Sequence, residues 1–193
     1  NVYLLKNKAY LPLGFLAEDA LAQADFGETD PWQMQNEVFS AATGLETPVW
    51  RAIAGSQVVA LGNGTQVTEQ STRGKLSYSE CDEGAYVSYF FSPNDEGFVC
   101  VWLDLPKRND FVVCINGVEL YRETISLPQM LAVGDVTPTD SVEVRVLCDA
   151  GESGTMTVTA SQLDNDLFFR GYDILNAAAL NITSFRQTRV EGT

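Results

Sequence analysis

Between residues 65 and 162 the chain is a series of short β-branched and aromatic runs cut by turn clusters. Their spacing, roughly 8–12 residues, constrains the fold more than any other feature. Ala85 to Phe91 follows Gly84 and ends at Ser92-Pro93-Asn94-Asp95-Glu96-Gly97. Phe98 to Leu105 ends at Pro106-Lys107-Arg108-Asn109-Asp110. Phe111 to Ile115 meets Asn116-Gly117, a pair that readily takes the positive φ angles of a two-residue hairpin, and Val118 to Tyr121 returns from it. Ser141 to Cys148 and Thr155 to Ser161 flank another turn at Asp149 to Gly154. Segments this short and this regularly punctuated form an antiparallel β-sandwich, jelly-roll-like. In Val142-Glu143-Val144-Arg145-Val146-Leu147 the valines point one way and the charges the other, which predicts a sheet with one wet face. Tyr86 to Phe91 is apolar almost throughout and is expected to be a central strand covered on both faces.

Two helices are expected to pack on this mainly β core. Asp30 can cap the first, Pro31 suits its first position, and Gly44 tolerates the left-handed conformation that ends it. Trp32, Val38, Phe39 and Ala42 recur between them at helical spacing. The second follows Leu163-Asp164-Asn165-Asp166, with Leu167, Phe168, Tyr172, Leu175, Ala178 and Ala179 on its periodic face. A short helical turn is expected near Glu18 to Leu21, and a return strand from Ile182. The organisation read from this is a single domain over 1–193. Residues 1–64 form an extended lead-in plus helix, 65–162 the sandwich, and 163–193 the helix and return strand.

The charge balance excludes several functions. Twelve basic and 26 acidic residues give a formal net charge of −14. Such a surface repels phosphate backbones and anionic headgroups, so no nucleic-acid partner is expected. The chain contains no His. That removes Ser–His–acid and Cys–His catalysis and any His-containing zinc site. No apolar run approaches the length of a membrane span. Both ends fall in extended sequence, and the chain is expected to be an excised segment of a longer protein.

The order of features carries a resemblance. Tyr10 to Leu16 (YLPLGFL) comes first, then Pro31 to Gly44 (PWQMQNEVFSAATG), then the sandwich, then Leu163 to Thr193 (LDNDLFFRGYDILNAAALNITSFRQTRVEGT). This resembles the extracytoplasmic domain of the YfhO family of bacterial multi-pass membrane proteins. In that family a PLGF strand precedes a helix of the same pattern, and Trp32 stands where Phe is commoner. The resemblance implies a parent similar to glycosyltransferases that draw on lipid-linked sugars for the cell envelope. It implies partners in the membrane portion of the parent chain and in an envelope glycan or polymer. It places no catalytic residue, no metal and no cofactor on this segment.

Within the segment, Trp50, Trp102 and Tyr121 offer rings that could stack on pyranose faces, and Asp104 lies on the same side of its strand as Trp102. Packing into the core is the competing use of such rings. If the turn at Pro106 to Asn109 is centred on Lys107, Cys100 and Cys114 fall opposite each other as a candidate disulfide. Buried free thiols are the alternative. The acidic turns at Glu80, Asp82 and Glu83 and at Asp95 and Glu96 lack calcium-loop spacing. The leading expectation is a non-catalytic extracytoplasmic domain of a YfhO-like membrane protein. The alternatives are a free-standing carbohydrate-binding or adhesion module, and a secreted hydrolase using paired carboxylates.

Overall fold

The computed structural model describes residues 19–23, 30–53 and 74–178, together with the backbones of strands at 57–61 and 66–70. Three helices occur in this part of the chain: α1 (Asp19–Gln23), α2 (Pro31–Thr43) and α3 (Asn165–Ala177). The strands are β1 (Trp50–Ala52), β2 (Gln57–Leu61), β3 (Gln66–Gln70), β4 (Lys75–Ser79), β5 (Tyr86–Phe91), β6 (Gly97–Asp104), β7 (Asn109–Ile115), β8 (Val118–Ile125), β9 (Gln129–Val136), β10 (Val142–Leu147) and β11 (Gly154–Leu163). The start of the expected lead-in, before residue 19, and the return strand from Ile182 lie outside the described residues.

The strands form two antiparallel sheets. One is six-stranded, in the order β3-β4-β11-β6-β9, with β1 also paired to β11. The other is five-stranded, in the order β2-β5-β10-β7-β8. Among the described connections only β3–β4 and β7–β8 join neighbours of one sheet; every other step crosses to the opposite sheet. The β7–β8 turn is Asn116-Gly117, with φ of 52° and 78°, as its sequence predicts. The sandwich also begins earlier than expected, because β1 and β2 come from the stretch read as lead-in.

Alternation builds the core. Val99, Val101 and Leu103 of β6, Phe111 and Val113 of β7, Val142, Val144 and Val146 of β10, and Met156 and Val158 of β11 all point inward and are buried. Tyr86 to Phe91 is an interior strand, but its two faces differ. Val87, Tyr89 and Phe91 are in the core, while Tyr86 and Phe90 are half-buried on the outer side.

The chain divides into two compact units: Asp30–Trp32 with Val49–Asn165, and Asn1–Thr29 with Gln33–Pro48 and Asp166–Thr193. The caps of α2 are the expected ones. Trp32 N donates to Asp30 Oδ1 at 3.0 Å, and Gly44, at φ 71°, donates to Ser40 O at 2.8 Å. Its apolar stripe is narrower than read from sequence. At about 100° per residue, Trp32, Phe39, Ala42 and Thr43 cluster on one side, and Val38 falls outside them, 38% exposed. In the second unit α3 meets α2 where Gly171 faces Phe39; a Cβ on Gly171 would lie 2.4 Å from Phe39 Cζ.

Candidate functional site

The outer face of the six-stranded sheet holds three of the four predicted ligand residues. On β6, Trp102 and Asp104 alternate with core residues and point outward, half-buried. Across the ladder Trp102 stands opposite Thr159 of β11 and Met130 of β9, and Asp104 stands opposite Thr157. Trp50 lies on the same face, opposite Leu163. Trp50 is, however, engaged by Trp32. The two ring centroids are 5.3 Å apart, tilted by 53°, and Trp32 Nε1 donates to Thr159 Oγ1 at 2.8 Å. Trp32 therefore lies over β11, and the Trp50 ring packs within the protein.

Tyr121 is placed elsewhere. It lies on β8 and turns inward, edge-on to Phe111 with centroids 6.1 Å apart. Its hydroxyl donates to Ala132 O of β9 at 3.2 Å, which ties the edges of the two sheets together. Burial pushes its phenol up to about 12. Beside it opens a shallow cleft of about 380 Å³, lined by Tyr121, Glu123, Gln129, Met130, Leu131 and Ala132.

The outer face of the five-stranded sheet carries a denser polar array, which sequence reading did not assemble. Register places Ser88, Arg145, Val112 and Arg122 in one row across β5, β10, β7 and β8. Phe90, Glu143, Cys114 and Glu119 form the next. Arg145 grips Glu143 with two bonds, Nε to Oε1 at 2.9 Å and Nη2 to Oε2 at 3.0 Å. Ser88 Oγ donates to Glu143 Oε1 at 2.5 Å. The Arg145 guanidinium lies 4.6 Å from the centroid of the Tyr86 ring. Two strands further, on β8, Arg122 grips Glu119 in the same two-pronged way, and Thr124 donates to Asp110. The hydrogen bonds that Arg145 donates to Glu143 raise the Arg145 pKa, and those from Arg122 lower the Glu119 pKa. Glu143 is only 5% exposed although it points away from the core. The alternation at 142–147 places Glu143 and Arg145 on one face correctly. It does not show that the carboxylate is buried there beneath its arginine.

Over residues 1–193 the sequence matches the family described as bacterial membrane protein YfhO. The chain belongs to the YfhO family. No curated protein matches it. Among solved structures, TmCBM61 in complex with β-1,4-galactotriose is similar at 12% identity and TM-score 0.38, over 57% of this chain and 90% of that one. The family 11 carbohydrate-binding module from Clostridium thermocellum, in complex with a β-1,3-1,4-mixed-linked tetrasaccharide, is similar at 16% identity and TM-score 0.34, over 61% and 89%. Insecticidal crystal protein Cry2Aa is similar at 11% identity and TM-score 0.37, over 56% and 20%. Likeness at this level carries no inference about a ligand.

Of the two readings of Cys100 and Cys114 in this YfhO-family chain, the topology is against the disulfide and leaves buried free thiols. Cys100 on β6 and Cys114 on β7 belong to different sheets, because the Pro106 turn is a crossover and not a hairpin. Each points out of its own sheet, away from the other, and both are free thiols. Burial pushes Cys100 up to about 11. The other two cysteines lie at one end of the sandwich beside a buried carboxylate, Glu152. That carboxylate accepts from Tyr78 Oη at 2.6 Å, from Asp149 N at 2.7 Å and from Asn109 Nδ2 at 3.3 Å, with Lys107 Nζ at 3.4 Å. Burial and Glu152 together push the Tyr78 phenol far up. Among the described residues no group of three or more His, Cys, Asp or Glu could hold a metal ion. None of the described helices is long and apolar enough to cross a membrane.

Proposed function

We propose that this part of the YfhO-family membrane protein is a non-catalytic extracytoplasmic domain that holds a cell-envelope glycan on the outer face of its five-stranded sheet. The observation that carries the reading is the Glu143–Arg145 pair. Burying a carboxylate beneath its arginine on a face that could have been apolar does little for stability. What it does is hold the half-exposed Arg145 guanidinium in place before a ligand arrives, beside the half-buried rings of Tyr86 and Phe90. A sugar presents both an apolar ring face and a set of hydroxyls, and such a surface can meet both. Ser88 bonds to the same carboxylate but is fully buried, so it has no access to a substrate as a nucleophile. Binding is therefore favoured over hydrolysis. A parent that transfers lipid-linked sugars would use such a surface to position its acceptor.

The test is calorimetric titration of envelope glycans and polymers against the domain and three variants. Binding that is lost in Arg145→Ala and Tyr86→Ala but kept in Trp102→Ala supports the reading. Loss only in Trp102→Ala moves the site to the other sheet, where Asp104 and the Met130 cleft adjoin that ring. No binding across the panel rejects a glycan role. Reporter fusions on either side of the domain in the full-length protein test its side of the membrane separately.

A further inference from the structure

Cys81 follows β4 of the six-stranded sheet, and Cys148 follows β10 of the five-stranded sheet. Their backbones are laced together. Gly151 N donates to Cys81 O at 2.6 Å, Cys81 N donates to Glu152 O at 3.1 Å, and Cys148 N donates to Ala85 O at 3.0 Å. The Cys148 thiol lies beside Cys81, whose proximity helps to raise its pKa, and both thiols are free in the structure. Both side chains lie in the core cluster, 3% and 7% exposed. Cys100 and Cys114, by contrast, point out of opposite sides of the sandwich. The four thiols thus divide into one neighbouring pair and two singles.

We infer that Cys81 and Cys148 close a disulfide that links the two sheets when the chain folds under oxidising conditions. The chemistry is exchange with a disulfide oxidant. One thiol loses its proton and attacks the oxidant to form a mixed disulfide. The second then displaces the oxidant's remaining sulfur, so that two electrons pass to the oxidant and it leaves as two thiols. Burial, with Cys81 alongside, pushes the Cys148 thiol far above its ordinary range, and both sulfurs are buried from an external oxidant. Exchange is therefore slow once the sandwich has closed, and the bond belongs to the folding chain. The inference does not depend on the glycan reading.

The test refolds the fully reduced chain in reduced and oxidised glutathione, alkylates it, and maps peptides without reductant. The expected result is one linked peptide pair joining Cys81 to Cys148, with Cys100 and Cys114 alkylated. The denaturation midpoint of this species should fall when reductant is added. The midpoint of C81A/C148A, which keeps the site apolar, should ignore reductant, and C100S/C114S should keep the linked pair. Recovery of Cys81 and Cys148 as alkylated thiols after oxidative refolding overturns the inference. So does linkage to any other cysteine, or a midpoint that does not respond to reduction.

Discussion

The indole nitrogen of Trp32 donates to the hydroxyl of Thr159 at 2.8 Å, across 127 positions of sequence. It is the point at which the first turn of α2 is locked to β11. With Trp32 7% exposed and packed on Trp50, Trp32→Ala should lower stability by about 3–5 kcal/mol in chemical denaturation. Thr159→Val keeps the shape but strands the indole donor, and should cost about 1–3 kcal/mol. A loss under about 1 kcal/mol for Trp32→Ala would show that the first turn of the helix is peripheral to the sandwich.

Arg145 and Glu143 should behave as a unit. Arg145→Met leaves a buried carboxylate without its counter-charge and should destabilise by about 1–3 kcal/mol, moderated because the arginine is partly solvated. The double variant Glu143→Leu with Arg145→Met should recover most of that loss, because two apolar groups replace a buried pair at little net change. Denaturation midpoints of the wild type, both single variants and the double form the complete cycle.

Tyr121 gives the fold an alkaline limit. Its folded pKa is raised from 10.0 to about 12, so the neutral phenol is favoured in the native state. Its contribution is complete below about pH 10 and is lost as pH rises through about 12. Stability measured across that window should fall in the wild type and fall less in Tyr121→Phe. Equal slopes would remove this tyrosine as the cause.

At Gly171 two opposed effects can be separated. Alanine improves helix propensity by about 1 kcal/mol, but its Cβ would meet the Phe39 ring at 2.4 Å, and overpacking costs about 1–3 kcal/mol. Gly171→Ala should therefore destabilise α3 in the wild type and stabilise it in a Phe39→Ala background. The sign in each background can be read from thermal melts followed by helix circular dichroism.

The oxidised Cys81–Cys148 form closes a loop of roughly 70 residues, for which chain entropy gives about 4 kcal/mol. Alkylating the thiols in denaturant without reductant, directly on lysis of cells that express the full-length protein, would report the compartment. A protected pair is expected on the outer side of the membrane, and a reactive pair on the inner side.

What was legible in the sequence was local. Asp30, Pro31 and Gly44 bound α2 as read, Asn116-Gly117 turns β7 into β8, and the valines of β10 face the core. Each depends on neighbours in sequence. The cysteine pairing failed because Pro106 marks a turn without saying which sheet the chain enters next. In a fold where most connections cross over, a turn between two strands does not make them partners. The Glu143–Arg145 face was half legible, since alternation gives direction but burial depends on Ser88 and Tyr86 brought in from β5. Trp32 was read as a helix residue, but its hydrogen-bond partner on β11 had no local signal.

The position of β11 dictates when the domain can exist. It is the central member that joins β3-β4 to β6-β9, and it is also the partner of β1. Ile53 donates to Ala160 O, and Val158 donates to Gly74 O, so even the gap between β1 and β4 along its edge is bridged through it. A chain emerging from its N-terminus holds only two disconnected strand pairs of that sheet until residue 154 and those after it arrive. That sheet is therefore incomplete for most of the domain's synthesis, and the last of the described strands to be made is the one that assembles it.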